Sequence, residues 1–157
     1  GSHTFDEAII RYLEKNKSVT VGYRTAEELK MLIGTAIADG RNFMADVRGR
    51  STETGLPVEA DVDSQEIRTA LEEPLDSIVH AVVSILEKTP PELAADIADH
   101  GIVLTGGGAL LDGFDRLIAR ATGMAAYLCD TPLLSVANGA GKALAEMDRL
   151  KDSYYES

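Results

Sequence analysis

The 157-residue chain carries one cysteine, Cys129, which excludes an internal disulfide and a cysteine-rich metal site and fits a reducing cytoplasm. Its three histidines, His3, His80 and His100, stand far apart and show no ligand spacing, so no metal held by protein His or Cys is expected. Basic residues are scarce. Fifteen Lys and Arg against 26 Asp and Glu leave a formal charge of −11, without the basic surface that nucleic acid or anionic lipid requires. No apolar run approaches the roughly 18–20 residues of a membrane-spanning helix. No signal-peptide pattern opens the chain, and Gly1-Ser2-His3 reads as a purification scar or an abrupt cut. Internal repeats and low-complexity tracts are also missing.

What is present is ordinary for a soluble globular chain, 45% hydrophobic and 26% charged, with enough length for a core in one domain or two small subdomains. The most informative stretch is IVLTGGGALL, Ile102 to Leu111. A short apolar, β-prone run enters three consecutive glycines, and a helix is expected from about Ala109. An open α/β sheet places its ligand crevice at the carboxyl end of such a strand. Glycines let the backbone approach a flat or anionic ligand, and the helix start offers N–H groups to phosphate. The alternative is a tight strand-to-helix turn with no ligand.

Hydrophobic periodicity organises the remainder. Phe5 to Lys15 reads as an amphipathic helix with Phe5, Ile9, Tyr12 and Leu13 on one side. After a short apolar stretch from Val19 to Tyr23, Thr25 and Glu28 form a capping-box pattern for a helix reaching Ala38, with Gly34 inside it. Phe43 to Arg50 and Val58 to Val62 read as strands joined by a hairpin over Ser51 to Pro57. Ser64 opens a long helical stretch to Lys88, which Pro74 should kink or break. Pro90-Pro91 ends it and starts a shorter helix to Asp99. Then follow a strand from Ile102 to Leu104, a helix to Ala121, a strand from Ala125 to Leu128 and a last helix from Leu133 to Leu150. Two parallel-type strands are too few to cover the apolar faces of such a block. The pattern therefore predicts a fragment of a larger protein or a partner that completes the sheet.

Several separate motifs, in one order over nearly the whole chain, resemble the MreB family of bacterial actin homologues. They are FDEAII (Phe5 to Ile10), RTAEELKMLIGTA (Arg24 to Ala36), VRGR with TGLP (Val47 to Arg50, Thr54 to Pro57), EEPLDSIVHAV with PPELAADI, IVLTGGGALLDGFDRLIARATGM and DTPLLSVANGAGKAL. The resemblance implies an α/β, actin-like ATPase (ribonuclease H-like) fold, of which this chain is a partial lobe with a small α+β inserted subdomain. Residues 15–63 correspond to the small subdomain, IIB, and residues 1–14 with 64–157 to part of the larger one, IIA. Implied too are ATP-dependent filaments at the inner face of the plasma membrane that maintain rod shape by directing cell-wall synthesis. The phosphate hairpins, the catalytic acid and the membrane-inserting segment of the family have no counterpart in the sequence. The resemblance thus makes the parent protein an ATPase and this chain alone inactive.

For individual residues, the resemblance assigns Gly106, Gly107 and Gly108 to the loop beside adenosine, and Glu27 and Lys30 to the helix facing purine and ribose. A carboxylate accepts from ribose hydroxyls and an ammonium donates to a ring nitrogen or hydroxyl; the alternative is a solvated helix pair. The implied cofactor is ATP or ADP with Mg2+, the ion held mainly by parts absent from this chain. Implied partners are further protomers, a RodZ-like membrane adaptor and the wall-synthesis machinery, with membrane contact only through missing segments or partners. A different class is a non-catalytic protein-interaction module of the same fold. A sugar-kinase or chaperone lobe shares the glycine loop but leaves VRGR and TGLP unexplained. Asp46, Asp61 and Asp63 read as exposed carboxylates rather than a metal cluster. Met31, Met44, Met124 and Met147 read as core or interface filler, Cys129 as a small buried residue, and Glu28 as a cap.

Overall fold

The computed structural model describes residues 3–105 and 111–129. The elements run α1 (His3–Lys17), β1 (Val19–Thr20), α2 (Tyr23–Ile33), β2 (Met44–Ser51), β3 (Pro57–Asp63), α3 (Ser64–Ala70), α4 (Glu72–Lys88), α5 (Pro91–His100), β4 (Ile102–Leu104), α6 (Phe114–Thr122) and β5 (Ala126–Leu128). Two sheets result. β1, β2 and β3 form an antiparallel sheet in that order, while β4 and β5 pair in parallel with Ile102 opposite Ala126.

Helix α1 forms because Phe5, Ile9 and Leu13 recur at helical spacing, and all three are fully buried. Each such side chain withdrawn from water contributes about 1.5–3 kcal/mol. One core runs on from there through Ile33, Val47, Val62, Ile67, Leu71, Ile78, Ile102, Phe114 and Ile118. The expected hairpin forms between β2 and β3, with Val47 opposite Ala60 and Arg50 opposite Pro57. Its turn closes through Gly55, whose φ of +75° suits a residue without a Cβ.

Three expectations are corrected, and a fourth, the break near Pro74, is met at a different residue. Helix α2 starts two residues before Thr25, with Gly22 as N-cap and no side-chain cap. Thr25 therefore lies inside the first turn, and exposed Glu28 pairs with Arg24 at 3.7 Å rather than capping. The same helix stops at Ile33 instead of Ala38. Gly34 turns the chain away in extended backbone, at a point where a Cβ would sit 2.5 Å from the Lys30 carbonyl oxygen. The stretch from Ser64 to Lys88 breaks at Leu71, so that Pro74 falls in the first turn of α4, where its missing N–H goes unneeded. Helix α6 begins at Phe114, after the left-handed Gly113, while the expected start at Ala109 lies outside the described residues. So does the expected last helix.

Smaller differences follow burial. Met31 and Met44 are 51% and 69% exposed, so neither fills the core, whereas Met124 packs against it. Cys129 is half-buried rather than buried. Asp46 and Asp61 face each other across β2 and β3 as exposed carboxylates, as expected, whereas Asp63 is half-buried and caps α3.

Candidate functional site

Helix α2 turns Ala26, Leu29 and Ile33 toward the core, and Lys30 lies beside them instead of reaching into water. Its side chain and that of Asp6, from α1, are each only 5% exposed. The Lys30 Nζ stands 3.7 Å from Asp6 Oδ1 and 5.8 Å from the centroid of the Phe5 ring. That separation makes an ion pair without a hydrogen bond, and Asp6 Oδ1 has no hydrogen-bond partner among the described residues. Burial pushes the Asp6 carboxyl above its ordinary range; the Lys30 ammonium opposes this and the Glu27 carboxylate adds to it. Burial likewise pulls Lys30 below the usual lysine range, against the attraction of Asp6 and Glu27.

Glu27 is exposed and sits one turn before Lys30. The solvated-pair alternative fails for Lys30, whose charge is matched by Asp6 inside the protein. Gly106, Gly107 and Gly108 lie outside the described residues. Of the residues assigned from sequence, Glu27 and Lys30 stand one turn apart on α2, Glu27 exposed and Lys30 buried toward the C-terminal end of the helix.

That end is anchored by residues the sequence reading did not single out. Arg41 donates through Nε to the Gly34 carbonyl at 2.9 Å and through Nη2 to the Met31 carbonyl at 2.7 Å. A guanidinium there satisfies carbonyls at the helix C-terminus and matches its negative dipole end. The Arg41 backbone N–H donates to Asp112 Oδ2 at 3.0 Å, and Ala36 N–H donates to the Asp112 carbonyl at 2.8 Å. Burial by itself raises the Asp112 carboxyl, but the Arg41 N–H, the Thr35 hydroxyl and the charges of Arg41 and Arg116 carry it below the usual range. Two signals were available in the sequence: Asp6 interrupts the apolar face between Phe5 and Ile9, and Asp112-Gly113 is a turn dipeptide.

A groove of about 620 Å³ runs along the other side of α1, lined by Thr4, Ala8, Arg11, Lys15, Thr69 and Glu73 among others. The α1 members recur at helical spacing on the face opposite Asp6, so this groove is separate from the Asp6–Lys30 pair. Among the described residues no group of three His, Cys, Asp or Glu side chains is arranged to hold a metal. No described helix is long and apolar enough to cross a membrane.

The model of the MreB/Mbl protein family matches residues 1–152. The cell shape-determining protein MreB of Escherichia coli strain K12 is 47% identical over 148 residues, covering 94% of this chain and 43% of that protein. The cell shape-determining protein Mbl of Bacillus subtilis strain 168 is 41% identical over 146 residues, covering 93% of this chain and 44% of Mbl. The crystal structure of MreB5 of Spiroplasma citri bound to AMPPNP superposes with a TM-score of 0.77 at 29% identity, over 99% of this chain and 44% of MreB5. The chain spans less than half the length of these relatives.

Proposed function

This chain belongs to the MreB/Mbl family of actin-like, cell shape-determining proteins, and from that premise we propose that it is most of the nucleotide-binding second lobe of a cytoskeletal ATPase. Residues 15–63 act as the small inserted subdomain, and residues 1–14 with 64–157 as part of the larger one. The antiparallel β1–β3 sheet lies in the first range and the parallel β4–β5 pair in the second, which supports that grouping, while α1 runs across the boundary between residues 14 and 15.

The lobe's own task is contact with adenosine. The observation that carries this reading is Lys30, a buried ammonium at the end of α2, with exposed Glu27 one turn away. These groups fit the donors and acceptors of a ribosyl purine, and Gly106, Gly107 and Gly108 complete the set as a loop without side chains. The relative from Spiroplasma citri was crystallised with AMPPNP, which agrees with a nucleotide in this fold. When bound, ATP supplies the phosphoanhydride whose hydrolysis the complete protein performs. Mg2+ is held mainly by the other lobe and the hairpins outside this chain.

ATP between two lobes favours a closed state that polymerises, and hydrolysis shifts the population back. The resulting filaments lie on the cytoplasmic face of the membrane through a RodZ-like adaptor and direct wall synthesis, which maintains the rod shape. An amide-resolved NMR titration of the chain with ADP and with adenosine tests the local part of this reading. Saturable shifts centred on Glu27 to Lys30 and on Gly106 to Gly108 are expected. A dispersed spectrum without shifts there overturns adenosine contact by this chain and favours a non-catalytic interaction module.

A further inference from the structure

We propose that Asp6 is a positioning residue for Lys30, holding its ammonium in the orientation from which it meets adenosine. The inference rests on the reading that this lobe contacts adenosine. A lysine side chain has four rotatable bonds and ordinarily extends its charge into water. Lys30 does not, being 5% exposed with its Nζ 3.7 Å from Asp6 Oδ1. Phe5, the neighbour of Asp6 on α1, offers its ring to the same ammonium at 5.8 Å. Two adjacent residues of one helix therefore fix the tip of a side chain borne by another.

The length of the pair matters. At 3.7 Å the carboxylate fixes the charge without taking up an ammonium N–H, and Asp6 Oδ1 indeed has no hydrogen-bond partner among the described residues. The donors of Lys30 are thus not spent on Asp6 Oδ1 and can serve an acceptor such as a ring nitrogen or a ribose hydroxyl. Glu27 is the other charge acting on both members of the pair, and His3 also acts on Asp6. Glu27 is exposed, so it adds field without fixing geometry.

Because the pair also joins α1 to α2, the experiment must separate positioning from simple stabilisation. ADP affinity and Tm are measured for the 157-residue chain and for Asp6→Asn, Lys30→Met and the double variant. Either single change leaves a buried charge alone and lowers Tm; the double change removes both charges and restores much of it. Expected for Asp6→Asn is an ADP affinity about tenfold weaker, a loss of the size seen when a charged contact is misplaced. Lys30→Met loses at least as much, and adding Asp6→Asn to it costs no further affinity. The double variant then binds weakly although its Tm has recovered. Unchanged affinity in Asp6→Asn overturns the proposal, as does a further loss in the Lys30→Met background or affinity that simply follows Tm. Absence of saturable ADP binding by the parent chain overturns the adenosine reading itself, and the role of Asp6 with it.

Discussion

The Thr35 hydroxyl donates to Asp112 Oδ2 at 2.9 Å, joining residues 77 apart in sequence. Their backbones also form a parallel bridge, and Thr35 is fully buried. Small residues crowd the joint. A Cβ on Gly40 would collide with Thr35 Oγ1 and lie 2.8 Å from Asp112 Oδ2, and one on Gly113 would lie 2.7 Å from Ile37 Cγ1. The joint fastens the exit of α2 to the approach of α6.

Thr35→Val keeps the volume and deletes the hydroxyl, so it costs about 2 kcal/mol, the range for a hydrogen bond to a charged group. Gly40→Ala overpacks the same joint and costs about 1–3 kcal/mol. Because both act on one contact, the double variant falls short of their sum. Urea denaturation of the three variants measures these losses, and strict additivity would count against a shared joint.

Asp39 and Arg120 make a second tie, a two-pronged ion pair with both contacts at 2.8 Å. The Arg120 guanidinium holds the Asp39 carboxyl at about 2, below its ordinary 3.8. A depressed carboxylate stabilises the fold above its ordinary pKa, and that contribution disappears as pH falls from 3.8 toward 2. Arg120→Gln should therefore melt below the parent chain at pH 6 and draw level with it only as pH falls below about 2. Both partners are exposed, so the gap is small and shrinks further with salt. Thermal melts across pH, at two salt concentrations, decide the matter.

Across β2 and β3 the opposite sign applies. Asp46 hydrogen-bonds Asp61 and repels its charge, which raises the Asp61 carboxyl above its usual range. The fold accordingly favours the protonated form. The pair weakens the sheet once pH rises past the shifted value, and that penalty vanishes on acidification. Asp46→Asn should raise Tm at pH 7 and lose this advantage toward pH 3; an advantage independent of pH would point to something other than charge.

Much of this fold was legible because its determinants are local or periodic. The faces of α1 and α4, the hairpin, and the β4–β5 pair follow from hydrophobic spacing and from Gly and Pro, which act on their own neighbours. The end of α2 was not legible. Its sequence continues as a helix past Gly34, and the contacts that hold the turn there come from Arg41 and from Asp112, far along the chain. The candidate site divides in the same way. Lys30 is assigned through the resemblance, whereas its counter-ion Asp6 shows in the sequence only as a break in an apolar face, and nothing in the spacing announces that α1 and α2 meet there. Pro74 signalled a break but not its position, which falls at Leu71, where the backbone leaves the helical region.

Of the capping-box patterns Thr25 to Glu28 and Asp63 to Glu66, only the second is used. Asp63 accepts from the Glu66 N–H at 2.8 Å, while the Asp63 N–H donates back to Glu66 Oε1 at 3.1 Å. Glu66 also accepts from the Tyr12 hydroxyl at 3.0 Å and pairs with Lys17 at 2.8 Å, so the cap of α3 is tied to α1. Burial would raise the Glu66 carboxyl, but Lys17, the Asp63 N–H and the Tyr12 hydroxyl bring it below the usual range. Asp63→Ala should cost about 1 kcal/mol, as loss of an N-cap does. Glu66→Ala should cost more than a capping partner alone, because it also strips Tyr12 and Lys17 of their acceptor. Thr25→Ala should be nearly neutral, since no side-chain cap exists at the start of α2 and alanine is the better helix former inside it. Chemical denaturation of the three variants tests the ranking. A loss at Thr25 equal to that at Asp63 would mean that α2 starts where the sequence pattern placed it.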